Sequence, residues 1–170
     1  MFEIYGEFDS AEEINKTAEG LRDEGDTEGL KKLAEENGFS EYDVEDYMDG
    51  VIKELANPLM AALGKLDVEC KELKVYEIME DWIGYIRVQC SEDHNMAIAV
   101  RRKGKHIKDC IAALLKWSFN NQYEVDKDII KAAGVNASKV TLGIPGMGRA
   151  KKIIREYYLG EVRDAKEENS

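Results

Sequence analysis

The chain has 170 residues, 44% of them hydrophobic and 35% charged, and carries a net charge of −11. That is enough for one well-packed domain and short for two. No apolar run reaches the length of a membrane span, and the acidic opening MFEIYGEFDS lacks the basic stretch of a signal peptide, so neither is expected. Three cysteines are an odd set and do not make a disulfide framework, which with the other absences points to the cytoplasm.

In chain order, residues 2–8 alternate Phe2, Ile4, Gly6 and Phe8 against Glu3, Tyr5 and Glu7, as a short strand or extended arm would. Ser10 with Glu13 three positions on is a capping-box start, and Ile14, Ala18 and Leu21 form a narrow apolar stripe behind it. Leu30, Leu33 and Ala34 mark a second short helix that Asn37 and Gly38 end. Ser40 caps a third, with Val44, Met48, Val51, Ile52 and Leu55 expected inside. Asn57 and Pro58 start a fourth, Asn as N-cap and Pro at the first helical position.

A longer helix is expected over 74–90, with Trp82, Ile83, Ile86 and Cys90 on one side. Its expected partner is the most apolar helix of the chain, residues 105–122, in which Ile107, Cys110, Ile111, Leu114 and Leu115 share one face and Trp117 and Phe119 widen it. Burying each large side chain there contributes roughly 1.5–3 kcal/mol. A short helix over 126–133, a glycine-rich loop and a basic helix follow. The expected fold class is mainly α, a single compact helical domain with a short N-terminal strand or arm. Its parts are an acidic helical stretch over 1–57, a main helical core with a basic C-terminal part over 58–160, and a frayed polar tail over 161–170.

Charge is unevenly laid out. Residues 1–50 hold 17 acids and 4 bases, a net of −13, whereas residues 101–170 hold 9 acids and 15 bases, a net of +6. Such polarity suits a basic partner on one face and an anionic one on the other, and it equally suits solubility with internal charge pairing. On the third helix Glu41, Glu45 and Asp49 follow one another at i, i+4, with Asp43 and Asp46 beside them. Like charges at that spacing cost a few tenths of a kcal/mol per pair. These five carboxylates are the candidate partner-binding residues.

Arg101, Arg102, Lys103 and Lys105 are the densest basic cluster. With Gly146, Gly148, Arg149, Lys151 and Lys152 they are the candidate nucleic-acid-binding residues, because glycines at a helix start let backbone N–H groups reach a phosphate and lysines add charge. Cys90 with His94, and His106 with Cys110, each stand at i, i+4, and together they have the donor types of a zinc site. Both cysteines equally continue apolar helix faces, where free cysteine packs as a small hydrophobe. No phosphate loop, nucleophile elbow or HExxH motif is present, so a non-enzymatic protein without cofactor is expected.

The run Ile144-Pro145-Gly146-Met147-Gly148, followed by Arg149-Ala150-Lys151-Lys152, resembles the hairpin of helix-hairpin-helix DNA-binding motifs, although Lys152 stands where a small residue is usual. Over residues 96–159, a basic turn leads into a helix with an apolar-face cysteine, RKGKHIKDCI, and a later helix ends in Tyr157-Tyr158. This resembles the PcfK-like proteins of conjugative plasmids and phages of Firmicutes, a group that includes a family of Cas9 inhibitors. The whole chain is also similar to small proteins on mobile elements of gut Firmicutes. The resemblance implies an anti-CRISPR protein in the cytoplasm of a bacterial host. Its partner would be Cas9 or the Cas9–guide RNA complex, and it would block DNA loading or cleavage with an acidic face that mimics nucleic acid. The alternative is a DNA-binding accessory protein of a mobile element, acting on double-stranded DNA.

Overall fold

A computed structural model describes residues 1–160. Most of its helices begin where short polar side chains can take up the orphan N–H groups of a first turn. Ser10 Oγ accepts from Glu13 N and opens α1 (Ala11–Asp23), and Asp26 accepts from Gly29 N and opens α2 (Thr27–Glu36). Ser40 and Asp43 form a reciprocal capping box at α3 (Glu41–Met48), and Asn57 accepts from Met60 N at α4 (Pro58–Glu72). α5 (Ile78–Glu92) starts later than the apolar pattern suggests, because Glu77 sits at a φ of +53° and interrupts the run from Lys74.

Asp93 then caps a helix that periodicity did not bring out, α6 (His94–Arg101), by accepting from Asn95 N and Met96 N. It buries Met96, Ala97, Ala99, Val100 and Arg101. α7 (Ile107–Asn120), β1 (Tyr123–Glu124), α8 (Lys127–Ala132), β2 (Thr141–Leu142) and α9 (Met147–Leu159) complete the described chain. The protein is mainly α, as expected. Residues 2–8 form no strand; the arm bends at Ile4 and Tyr5, and Phe2 and Gly6 take φ of +52° and +76°.

The chain divides into two compact units, Met1–Lys108 and Asp109–Ser170. The boundary falls in the first turn of α7. Within the first unit one apolar cluster joins residues on both sides of 57/58: Phe8, Ile14, Leu30, Leu33, Val44 and Tyr47 pack with Leu55, Ala56 and Ala61. In this first unit α4 packs most extensively on α6, and α5 lies against α6 and α4.

Two glycines set how closely α2 meets α4. A methyl group on Gly38 would overlap the Gly64 carbonyl, and one on Gly64 would overlap the Asn37 carbonyl. Gly38 also takes a φ of +74°, which turns the chain out of α2.

α3 is shorter than the apolar pattern suggests. It ends at Met48, so Val51 is 70% exposed and Met48 sits at the surface, while Val44 and Tyr47 form the buried side.

In the second unit β1 and β2 pair antiparallel, Tyr123 opposite Leu142 and Glu124 opposite Thr141. Cys110, Leu114, Ile130, Ala150, Ile154 and Tyr158 are buried. The expected apolar face of α7 is narrower than its sequence pattern. Leu115 and Phe119 are exposed, and Trp117 is half-buried beneath the Arg149 guanidinium, 5.9 Å from the ring centre. The expected frayed tail, 161–170, lies outside the described residues.

Candidate functional site

The acidic row survives as a surface feature. Glu41, Glu45, Asp46 and Asp49 are exposed, and among the described residues none of them forms an ion pair. Asp43 is different. Its carboxylate accepts from the Ser40 N–H at 2.8 Å and from the Ser40 hydroxyl at 2.7 Å, which makes it a helix cap first. Asp49 closes α3 as its C-cap residue in helical conformation, so Glu41, Glu45 and Asp49 keep their one-turn spacing. Glu41 also lines the rim of an open cleft of about 900 Å³, with Glu28, Glu35 and Asp67 among the acids and Lys31, Lys32 and Lys71 among the bases around it.

The basic cluster of 101–105 is split by burial. Arg101 is 1% exposed and cannot reach a nucleic acid, which corrects its expected role. Its guanidinium donates to Asn37 Oδ1 at 2.8 Å, to the Phe8 carbonyl at 3.2 Å and to the Ala61 carbonyl at 3.4 Å, and it lies over the Phe2 ring at 5.5 Å. Burial lowers its pKa to about 10, with Glu7 and Glu69 partly offsetting that loss, so it stays charged at neutral pH. Arg102 and Lys103 remain exposed, and Lys105 is half-buried.

The turn that carries them is closed by Lys105 N donating to the Arg102 carbonyl, and Gly104 supplies its φ of +81°. Its amides are occupied by the N-terminal arm. Lys103 N donates to Asp9 Oδ1 at 3.0 Å, and Gly104 N donates to both oxygens of Glu7 at 3.3 Å.

Beneath the turn lies a polar cluster that sequence reasoning missed. Lys65, on α4, has a fully buried side chain. Its ammonium donates to Glu7 Oε1 at 2.7 Å, to the Arg102 carbonyl at 2.8 Å and to the Arg101 carbonyl at 3.4 Å. Glu69, one turn on, is buried and accepts from Ile107 N at 2.9 Å, which caps α7, while its other oxygen lies 2.9 Å from His106 Nδ1. His106 Nε2 faces Glu7 Oε2 at 3.8 Å.

Burial pulls the Lys65 pKa down, and Glu7 and Glu69 pull it part of the way back. Burial likewise raises the Glu7 carboxyl. The Lys65 bond and charge outweigh that effect, together with the Gly104 N–H, and hold Glu7 below the usual carboxylate range. The two directions agree physically, because the lysine is the more deeply buried partner. The sequence signal for this cluster is Lys65 with Glu69 one turn on, two charges on the face that also carries Ala61, Ala62 and Leu66.

The four residues with the donor types of a zinc site do not assemble. Among the described residues no three His, Cys, Asp or Glu side chains come together as metal ligands. His106 is turned to Glu69, His94 is exposed at the start of α6, and Cys90 is buried on the inner face of α5. Burial pushes the Cys90 and Cys110 thiols up to about 12, which suits packing side chains rather than ligands.

In the second unit the glycine-rich turn expected to bind phosphate leads into α9. Gly146 is the N-cap of α9, and Gly146, Gly148, Arg149 and Lys151 are exposed, whereas Lys152 is half-buried. Pro145 and Ala150 are buried and anchor the turn. No helix among the described residues is long and apolar enough to cross a membrane. No protein-family model matches the chain, and neither a curated protein nor a solved structure matches it.

Proposed function

We propose that this protein works by binding rather than by catalysis, docking the acidic face of α3 on a basic surface that its partner uses for nucleic acid. The observation that carries the reading is the row of Glu41, Glu45 and Asp49. These carboxylates are exposed and form no ion pair among the described residues, while Val44 and Tyr47 hold the opposite side of the same helix in the core. Side chains one helical turn apart stand about 5–6 Å from each other. Such a fixed row can take the place of phosphates through charge-assisted bonds to arginine and lysine.

The partner assigned is Cas9 or the Cas9–guide RNA complex, in the cytoplasm of a bacterial host. Support for that choice is the resemblance over residues 96–159, together with the way such effectors hold nucleic acid in positively charged channels. Co-purification with Cas9, with and without guide RNA, tests the partner. Recovery of a stoichiometric complex supports the assignment, and no complex in either condition refutes it.

A second reading has its own observation, the exposed Gly146, Gly148 and Arg149 at the start of α9. There the protein binds duplex DNA through phosphates at that turn, and Arg102, Lys103 and Lys105 of the first unit offer a separate phosphate contact, Arg101 being excluded by burial. A gel shift whose affinity falls by about one log unit per log unit of salt for each neutralised phosphate supports it. Absence of a shift at low salt refutes it.

A further inference from the structure

Among the described residues, the N-terminal arm, residues 1–9, makes no backbone-to-backbone hydrogen bond with the rest of the chain. It is fastened through side chains. Glu36 accepts from the Ile4 and Tyr5 amides, and the Tyr5 hydroxyl donates to the Gly29 carbonyl. At the other end, two arm carboxylates fill the turn of 102–105. Consecutive backbone N–H groups, those of Lys103 and Gly104, each hold one of them, Asp9 and Glu7. The two amides hold two separate carboxylates, and successive amides of this kind are the donors from which anion-binding nests are built.

The remaining groups fit the same ligand. The Lys65 ammonium has two carbonyl partners, those of Arg101 and Arg102, and spends its remaining bond on Glu7. Arg102 and Lys103 are exposed on the rim.

We infer that this turn is a phosphate-binding cradle, closed in the state described by the arm's own Glu7 and Asp9 as carboxylate stand-ins. Withdrawal of these two carboxylates, with Phe8 staying in the core cluster, opens it. The ligand is a tetrahedral phosphate group, either free inorganic phosphate or a backbone phosphate of DNA. The inference does not depend on the acidic face of α3 or on the choice of Cas9.

The test uses the full chain. Inorganic phosphate and a short DNA duplex are titrated separately into wild type, into Glu7→Ala/Asp9→Ala, and into Glu36→Gln/Tyr5→Phe, which loosens the far end of the arm without touching the cradle. Binding at least tenfold tighter than wild type in either folded variant, and lost on adding Arg102→Glu/Lys103→Glu, is the expected result. A gain with phosphate alone identifies the free ion, and a gain with the duplex identifies nucleic acid.

Because the first variant leaves Lys65 without its carboxylate and can unfold, wild type is also followed by amide NMR. Saturable shifts of Lys103 and Gly104 with phosphate are expected. The inference is overturned if those amides do not move in wild type, or if folded variants bind no more tightly than wild type does.

Discussion

Lys65 and Glu7 lie 58 positions apart in the chain and meet at 2.7 Å, with the lysine side chain wholly buried. The contact ties the N-terminal arm to α4 beneath the 102–105 turn. Removing one partner of a buried pair leaves the other charge unpaired, at a cost of about 3–5 kcal/mol. Glu7→Gln is therefore expected to lower the thermal midpoint well below that of wild type. A midpoint unchanged within a degree would show that the arm is not part of the folded core.

The same pair sets an acid-side pH dependence. Glu7 titrates lower in the folded state than in the unfolded chain, so the unfolded chain binds more protons in the window between the two values. Its contribution is complete above the ordinary glutamate pKa of about 4.3 and is lost as pH falls through the lower, folded value. Stability measured down from neutral pH should fall more steeply in wild type than in Glu7→Gln. Parallel curves would contradict this account.

Arg101 is a buried, structural cation, and its neighbour Arg102 is an exposed one. Arg101→Ala leaves Asn37 Oδ1 without its donor and removes the bonds to the Phe8 and Ala61 carbonyls, whereas Arg102→Ala removes an exposed side chain. By chemical denaturation the first should cost about 1–3 kcal/mol for each buried acceptor left unsatisfied and the second less than about 0.5 kcal/mol. Equal losses would mean that Arg101 is not buried in solution.

The close approach of α2 and α4 predicts that Gly64→Ala destabilises by about 1–3 kcal/mol, because the added methyl runs into the Asn37 carbonyl rather than into a movable side chain. In the second unit Leu114→Ala removes a fully buried side chain and should cost about 2–5 kcal/mol. Urea midpoints measure both, and an unshifted midpoint removes the residue concerned from the core.

What could be read ahead of the structure was mostly local. Ser10, Ser40 and Asn57 cap helices as their side chains suggest, and Leu30, Leu33, Ala34 and Val44 are buried as their spacing suggests. α6 was missed because its eight residues are too short for a clear period, and because the basic residues after it suggested a loop. The two-residue strands carry no alternation at all.

As part of the densest basic cluster, Arg101 is expected to contact nucleic acid. Its burial depends on Phe2, Phe8, Asn37 and Ala61, none of them near in sequence. The polarity between the acidic start and the basic 101–106 stretch is in part an internal pairing, since Glu7 and Asp9 spend their charge on the turn that carries Arg102, Lys103 and Gly104. The acidic row of α3 takes no part in that pairing, and for that reason it is the surface assigned to a partner.

The most direct test of that assignment is Cas9 cleavage of target DNA, with the protein added before or after the guide RNA and before or after the DNA, comparing wild type with Glu41→Lys/Glu45→Lys/Asp49→Lys. These positions are exposed, so the variant should keep the wild-type thermal midpoint. Losing several charge-assisted contacts at about 2 kcal/mol or more each should weaken inhibition by roughly a hundredfold or more. The account predicts inhibition by wild type when it is added before DNA, and almost none by the variant. Normal cleavage in every order of addition, or equal inhibition by wild type and variant, would contradict it.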